Sequence, residues 1–209
     1  MKSVRCIKQW MMWITVLLLP ACTDYEEETL SDWCVIQSVG QPTRLLTDHS
    51  EMLQLDKPFS AVDYQIGERL RIVYLNLSKN AMTGNNSRLV QLLSQQRVLI
   101  QLPDSVPNTN NTQAPVQLNG VPFIGGGYLN VDFRFLYEQK SIKHSVSLRV
   151  DTLIGRTIYV QFKHFTNGDR QVRWNNALVS FPMNKIVGNH LVDSISMLSD
   201  QTNCILPLP

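Results

Sequence analysis

Between Trp33 and Leu198 the chain is cut by clusters of Gly, Asn, Pro and Asp into short runs rich in Val, Ile, Leu, Phe and Tyr. Apolar residues at helical spacing are almost absent. Runs of this length, bounded by turn formers, are strands, and such a chain can bury its apolar side chains only by pairing and stacking sheets. An all-β protein is expected.

In the first half the expected strands are 33–39, 52–55, 69–77, 88–93 and 97–102. The third, Arg69-Leu70-Arg71-Ile72-Val73-Tyr74-Leu75-Asn76-Leu77, is apolar on both faces over much of its length. That suits a strand of a small barrel whose outside packs on something else, and five such strands make an OB-like barrel over 31–102. Residues 103–120 hold Pro103, Pro107 and Pro115 around a polar Asn/Thr stretch and read as a linker. Beyond it, Leu129, Val131, Phe133 and Phe135 alternate with Asn130, Asp132 and Arg134. Further strands are expected at 142–150, 156–164, 174–181 and near 191–198. Antiparallel strands with one polar face predict an immunoglobulin-like β-sandwich over 121–209.

The N-terminus reads as an address. Lys2, Arg5 and Lys8 precede an apolar run from Trp10 to Leu19, the pattern of a secretory signal over 1–21. The run is about half the ~20 residues a spanning helix needs. Leu19-Pro20-Ala21-Cys22 resembles the lipobox of bacterial lipoproteins, which implies cleavage before Cys22 and acylation of its thiol, with Pro20 a departure from the usual residue. Two or more acyl chains anchor a protein stably in a membrane. Asp24-Tyr25-Glu26-Glu27-Glu28 cannot bury and extends the acidic tether, 22–30. Its acidic residues also resemble a surface-export signal of Bacteroidetes lipoproteins.

The chain has 19 Lys+Arg and 17 Asp+Glu, and loss of the signal leaves 16 basic against 17 acidic residues. No charge-driven affinity for nucleic acid is therefore expected. Cys6 leaves with the signal and Cys22 is the lipid acceptor. Cys34 and Cys204 are expected as unpaired thiols, with a bridge between them as the alternative in an oxidising compartment.

Several segments in order resemble one family. Gly127-Tyr128-Leu129-Asn130-Val131, Lys143-His144, Lys163-His164-Phe165 with Asn167-Gly168-Asp169, and Val179-Ser180-Phe181 resemble the C-terminal domain of the NigD-like lipoproteins of Bacteroidetes. Ile66-Gly67-Glu68-Arg69-Leu70 resembles the opening of that family's N-terminal OB domain. The chain departs in a longer linker. The resemblance implies an outer-membrane or surface lipoprotein with no established activity, in a family whose namesake is associated with bacteriocin immunity.

The candidate chemistry is sparse. If Val150 stands opposite Arg156 in a hairpin, His144 faces Phe162 and His164 is its diagonal neighbour within ~8 Å. Asp169 could curl back to the same end. Two imidazoles and a carboxylate could bind zinc with an open water position, and the alternative is a buried hydrogen-bonded cluster. The structural cluster is expected, with no cofactor, and a metal-assisted hydrolase using His144, His164 and Asp169 is the competing reading. No nucleophile elbow, His-Glu-x-x-His or Walker pattern occurs. Gly125-Gly126-Gly127 precedes a strand and reads as a flexible hinge. Residues 66–102 offer only Tyr74 as an aromatic, which argues against single-stranded nucleic acid. Trp174 is expected in the core, with a glycan or protein contact as its alternative role. Ser105, Thr152 and Ser194 each sit in an Asp-Ser/Thr-apolar triplet resembling the Bacteroidetes O-glycosylation acceptor. A non-enzymatic interaction module is expected, its partner a protein or glycan, with an immunity or inhibitor protein as a further alternative.

Overall fold

The computed structural model describes residues 28–77, 82–83, 87–103, 112–200 and 202–208. The signal, Cys22 and Ser105 lie outside them. Strands dominate the described chain, with a single short helix. In order come β1 (Thr29–Ser38), β2 (Arg44–Thr47), β3 (Met52–Leu55), β4 (Arg69–Asn76), β5 (Met82–Thr83) and β6 (Ser87–Ile100). Then follow β7 (Gln113–Ala114), β8 (Val116–Leu118), β9 (Phe123–Gly125), β10 (Tyr128–Tyr137), β11 (Ser145–Ile154), β12 (Thr157–Phe165) and β13 (Arg173–Pro182). A single turn of helix, α1 (Met183–Val187), precedes β14 (Ser194–Leu198) and β15 (Asn203–Pro207).

The first half is OB-like. β1 pairs with β2 and β4, β2 with β3, and β4 with β6. The ring returns through a parallel pairing of β3 with β6, so each of the five strands has two partners. Alternation along β4 sends Leu70, Ile72 and Tyr74 inward, where they join Cys34, Ile36, Leu45, Leu53 and Val90 in the core. Two expectations fail here. Residues 88–93 and 97–102 are not two strands but one, β6, with a register shift opposite Val73/Tyr74 that lets it bend without ending. The short β2 supplies the fifth strand instead.

The second half is the β-sandwich. One layer contains β13, β10 and β8, with β9 also on β10. The other runs β11-β12-β14-β15, with β7 on the far end of β12. Leu129, Val131, Phe133, Phe162, Phe181, Ile195 and Met197 fill the space between them. The sandwich is not antiparallel throughout, because β12 and β14 run parallel. β7 and β8 lie inside the stretch read as a linker, so residues 113–118 are edge strands of the second unit. A last strand, β15, was not expected.

The two units share a sheet. β6 pairs in parallel with β13 at Leu99↔Val179 and Ile100↔Ser180, which makes a continuous ten-stranded sheet. Trp33, Val98 and Leu178 form a small apolar cluster across the joint, and Trp33 meets Phe123 edge-to-face at 5.6 Å.

Candidate functional site

Three polar constellations stand out: a buried ion pair at the joint, a buried histidine pair in the sandwich, and an exposed tryptophan on its outer sheet face.

The joint is built on β4. Its outward residues Arg69 and Arg71 point at β10. Arg69 has a fully buried side chain, and its Nη2 donates to both oxygens of Asp48, at 2.9 and 2.7 Å. Nη2 also donates to Asn130 Oδ1 at 3.0 Å, and Nε to Ser180 Oγ at 3.0 Å. Asn130 Nδ2 donates to Asp48 Oδ2 and Ser180 Oγ to Asn130 Oδ1, while the guanidinium lies 4.2 Å over the Tyr128 ring. Asp48 is itself tied to β1 by a bond from its N–H to Trp33 O. Arg and Asp come from the barrel, Asn and Ser from the sandwich. A charge pair taken this far out of water demands partners for its remaining donors and acceptors, and the second domain supplies those of Arg69 Nε and Nη2 and of Asp48, while the buried Arg69 Nη1 has no hydrogen-bond partner.

The glycine run belongs to this joint. Gly126 (φ +59°) and Gly127 (φ +82°) are the two-residue turn between β9 and β10. A Cβ on Gly126 would lie 2.2 Å from Asp48 Oδ1. The segment is a tight turn closed against a buried carboxylate, not a flexible hinge.

The histidines meet, though by another register. β11 runs on to Ile154, which pairs with Thr157 across a turn of Gly155 and Arg156. Val150 faces Val160, and a bulge at Asp151 absorbs the odd residue. His144, just before β11, then lies beside His164 at the end of β12. Its Nδ1 is 2.9 Å from His164 Nε2, and its Nε2 is 2.9 Å from Asp169 Oδ2. Asp169 also accepts the backbone N–H groups of Glu138, Gln139 and Arg170. Burial pushes its carboxyl up, but the bonds from His144 and these three N–H groups outweigh that and hold it at about 2. Being ionised, Asp169 fixes the proton of His144 on Nε2. With both rings neutral, His144 Nδ1 accepts from His164 Nε2. Burial, then the neighbouring His144, lowers His164 to about 4, against an opposing pull from the Ala114 backbone on β7.

The three groups are joined in series and do not converge on one point. Among the described residues no set of three His, Cys, Asp or Glu is arranged to hold a metal. His144, His164 and Asp169 form a hydrogen-bonded chain in this structure. Its terminal ring, His164, is fully buried and packs on Phe135 at 4.8 Å. The chain fastens the 138–144 loop and the loop after β12 to the sandwich. His144 and His164 line a cleft of about 560 Å³ together with Phe135, Ile142, Val146 and the exposed Lys140 and Lys143.

Other sequence candidates are placed as follows. Trp174 is not a core residue: it is 51% exposed, with Arg134 at 4.8 Å over its ring. Tyr74 is buried in the barrel and donates to Asp32 at 2.7 Å, so it offers no stacking surface. Cys34 and Cys204 are both free. Cys34 lies in the barrel core and Cys204 packs against the sandwich core, which rules out the bridge. Burial pushes the Cys34 thiol up to about 12. Thr152 is exposed on the edge strand β11 rather than in a turn. Ser194 is half-buried and its hydroxyl bonds Thr157 Oγ1 at 2.8 Å. Asp48, Asn130 and Ser180 were missed as a site. The alternation that marks Asn130 as outward-facing was visible, but not what covers it.

Comparison with known proteins places this architecture. Residues 107–198 match the model of the NigD-like C-terminal beta sandwich domain. A crystal structure of a protein of unknown function from Bacteroides vulgatus ATCC 8482 superposes with a TM-score of 0.68 at 20% identity, covering 87% of this chain and 92% of that one. A NigD-like immunity protein from Bacteroides caccae ATCC 43185 gives 0.55 at 16%, covering 84% and 90%. A candidate lipoprotein from Bacteroides fragilis NCTC 9343 gives 0.58 at 7%, covering 87% and 98%. Identities this low speak for the fold alone. No curated protein matches the sequence. Residues 107–198, in the second half of this chain, are thus similar to the NigD-like C-terminal beta sandwich domain.

Proposed function

We propose that this protein is a non-catalytic binding module of the bacterial envelope, held to the outer membrane by lipid on Cys22 and displaying its two domains as one rigid body. The observation that carries the reading is the joint. Arg69 and Asp48 are buried between the domains and completed by Asn130 and Ser180. A pair so enclosed gives the domains one relative arrangement, which suits a preformed recognition surface. The Asp169–His144–His164 chain supports the same reading, because it fastens two loops to the sandwich and so adds to the rigidity of the display. The lipobox-like Leu19-Pro20-Ala21-Cys22 and the acidic residues behind it support the address, as does the lipoprotein description of the Bacteroides fragilis protein.

A second reading is favoured by the Bacteroides caccae relative, described as a NigD-like immunity protein: capture of a toxic protein before it acts. Both readings share the address and differ in the partner. Labelled palmitate should enter the wild-type chain in its host and not the Cys22→Ala variant. Protease applied to intact cells should then degrade the lipidated protein if the domains face outward. Equal label in both chains would refute the anchor, and protection until the cells are broken would move the domains to the periplasm.

A further inference from the structure

The barrel covers only part of the outer face of the β8–β10–β13 sheet. Asn130 and Ser180 lie under Arg69, and Leu178 lies under Trp33 and Val98. The rest of the face is uncovered. There Trp174, half exposed, stands opposite Leu136 on β10 and diagonal to Arg134. Around it the polar groups are already held in place by one another. Arg134 donates through Nε and Nη2 to Gln117 Oε1 at 2.9 and 2.6 Å, and its guanidinium sits 4.8 Å from the Trp174 ring. Asn119 Nδ2 donates to Asp132 at 2.7 Å and reaches Asn176 at 3.4 Å. Asp132 is paired with Arg71 from the barrel wall at 2.8 Å, so this patch ends where the barrel begins.

Three features of this patch point to one ligand chemistry. An indole held on a rigid strand, exposed over about half its surface, offers a flat apolar platform to the C–H face of a pyranose ring. Amide side chains fixed on neighbouring strands can hydrogen-bond hydroxyls at small entropic cost, because their rotamers are already set. The charge is unbalanced: Arg71 has Asp132, but the hydrogen bonds of Arg134 go to neutral Gln117, and no carboxylate pairs with it among the described residues. A guanidinium with free donors beside an aromatic platform favours a carboxylate on the sugar.

We infer that the uncovered sheet face around Trp174, Arg134 and Asn176 is a binding site for an acidic, uronate-bearing polysaccharide. This rests on the binding-module reading and gives it a ligand class. The pyranose stacks on Trp174, its carboxylate pairs with Arg134, and its hydroxyls reach Asn176 and Asn119.

The test is affinity electrophoresis of the full chain in native gels containing polygalacturonate or, separately, neutral mannan. Polygalacturonate should retard the wild-type chain. Trp174→Ala should weaken that retardation by about tenfold or more, a loss of ~1.4 kcal/mol. Trp174→Phe should keep most of it, and Arg134→Gln should remove the preference over mannan. Melting temperatures of all three variants, measured in parallel, should stay at the wild-type value, which separates lost binding from lost fold. No retardation by either polymer, a Trp174→Ala chain that migrates like wild type, or a preference for mannan would overturn the assignment. These gels report the ligand while palmitate labelling and proteolysis report the address, so one can fail without the other.

Discussion

At the scale of single residues, the most consequential atoms are charged and buried. Arg69 and Asp48 gain little by being paired rather than replaced together, but breaking the pair leaves one charge stranded out of water. Arg69→Met is therefore expected to cost about 3–5 kcal/mol, read as a fall in the urea midpoint at unchanged slope. Adding Asp48→Leu should recover part of that loss, and a double variant less stable than Arg69→Met would contradict the argument. The histidine chain sets the response to acid. His164 is held neutral, its pKa lowered from 6.5 to about 4, so the unfolded chain binds the proton more readily. Its contribution to stability is complete above pH 6.5 and is lost as pH falls towards 4. Asp169, lowered from 3.8 to about 2, holds its contribution above 3.8 and loses it as pH falls towards 2. Melting temperature against pH should thus be flat near neutrality and decline in two successive acid stages. In His164→Phe the first stage should disappear, and an unchanged profile in that variant would show that another group carries it.

At the scale of elements, two hairpin turns make a controlled comparison. Gly126 and Gly155 share nearly the same φ, +59° and +60°. A Cβ at Gly155 meets nothing within 4 Å, whereas one at Gly126 meets the Asp48 carboxylate. Gly155→Ala should cost only the conformational penalty, ~1–2 kcal/mol. Gly126→Ala should add displacement of Asp48 and reach ~3–5 kcal/mol, and equal losses by chemical denaturation would refute the close approach. The same turns show why the sequence was only partly legible. Composition and punctuation identified strands well, but the outer face of 69–77, read as apolar, meets the sandwich through the charged Arg69 and Arg71. Register was not legible, because the bulge at Asp151 and the continuation of β6 through 94–96 leave no local signature. Tertiary pairing, not propensity, decides where such strands end. The histidines still met, since both stand at the same end of the sandwich under either register.

At the scale of the whole molecule, the two domains were visible in the sequence and their union was not. Nothing in Asp48, Asn130 or Ser180 announces a shared site, because they are separated by 82 and 50 positions and meet only after folding. Prolines and a polar stretch over 103–120 suggested a linker, yet residues 113–118 hold strands of the sandwich and β6 joins β13 directly. A joint that buries an ion pair, an apolar cluster and two shared strand positions should couple the unfolding of both halves. Calorimetry of the full chain is the most direct measurement of that claim. One transition is expected, with calorimetric and van't Hoff enthalpies equal and the whole peak moved down by Arg69→Met. Two separate transitions, with only one of them shifted by Arg69→Met, would show that the domains fold independently and would contradict the rigid-body account.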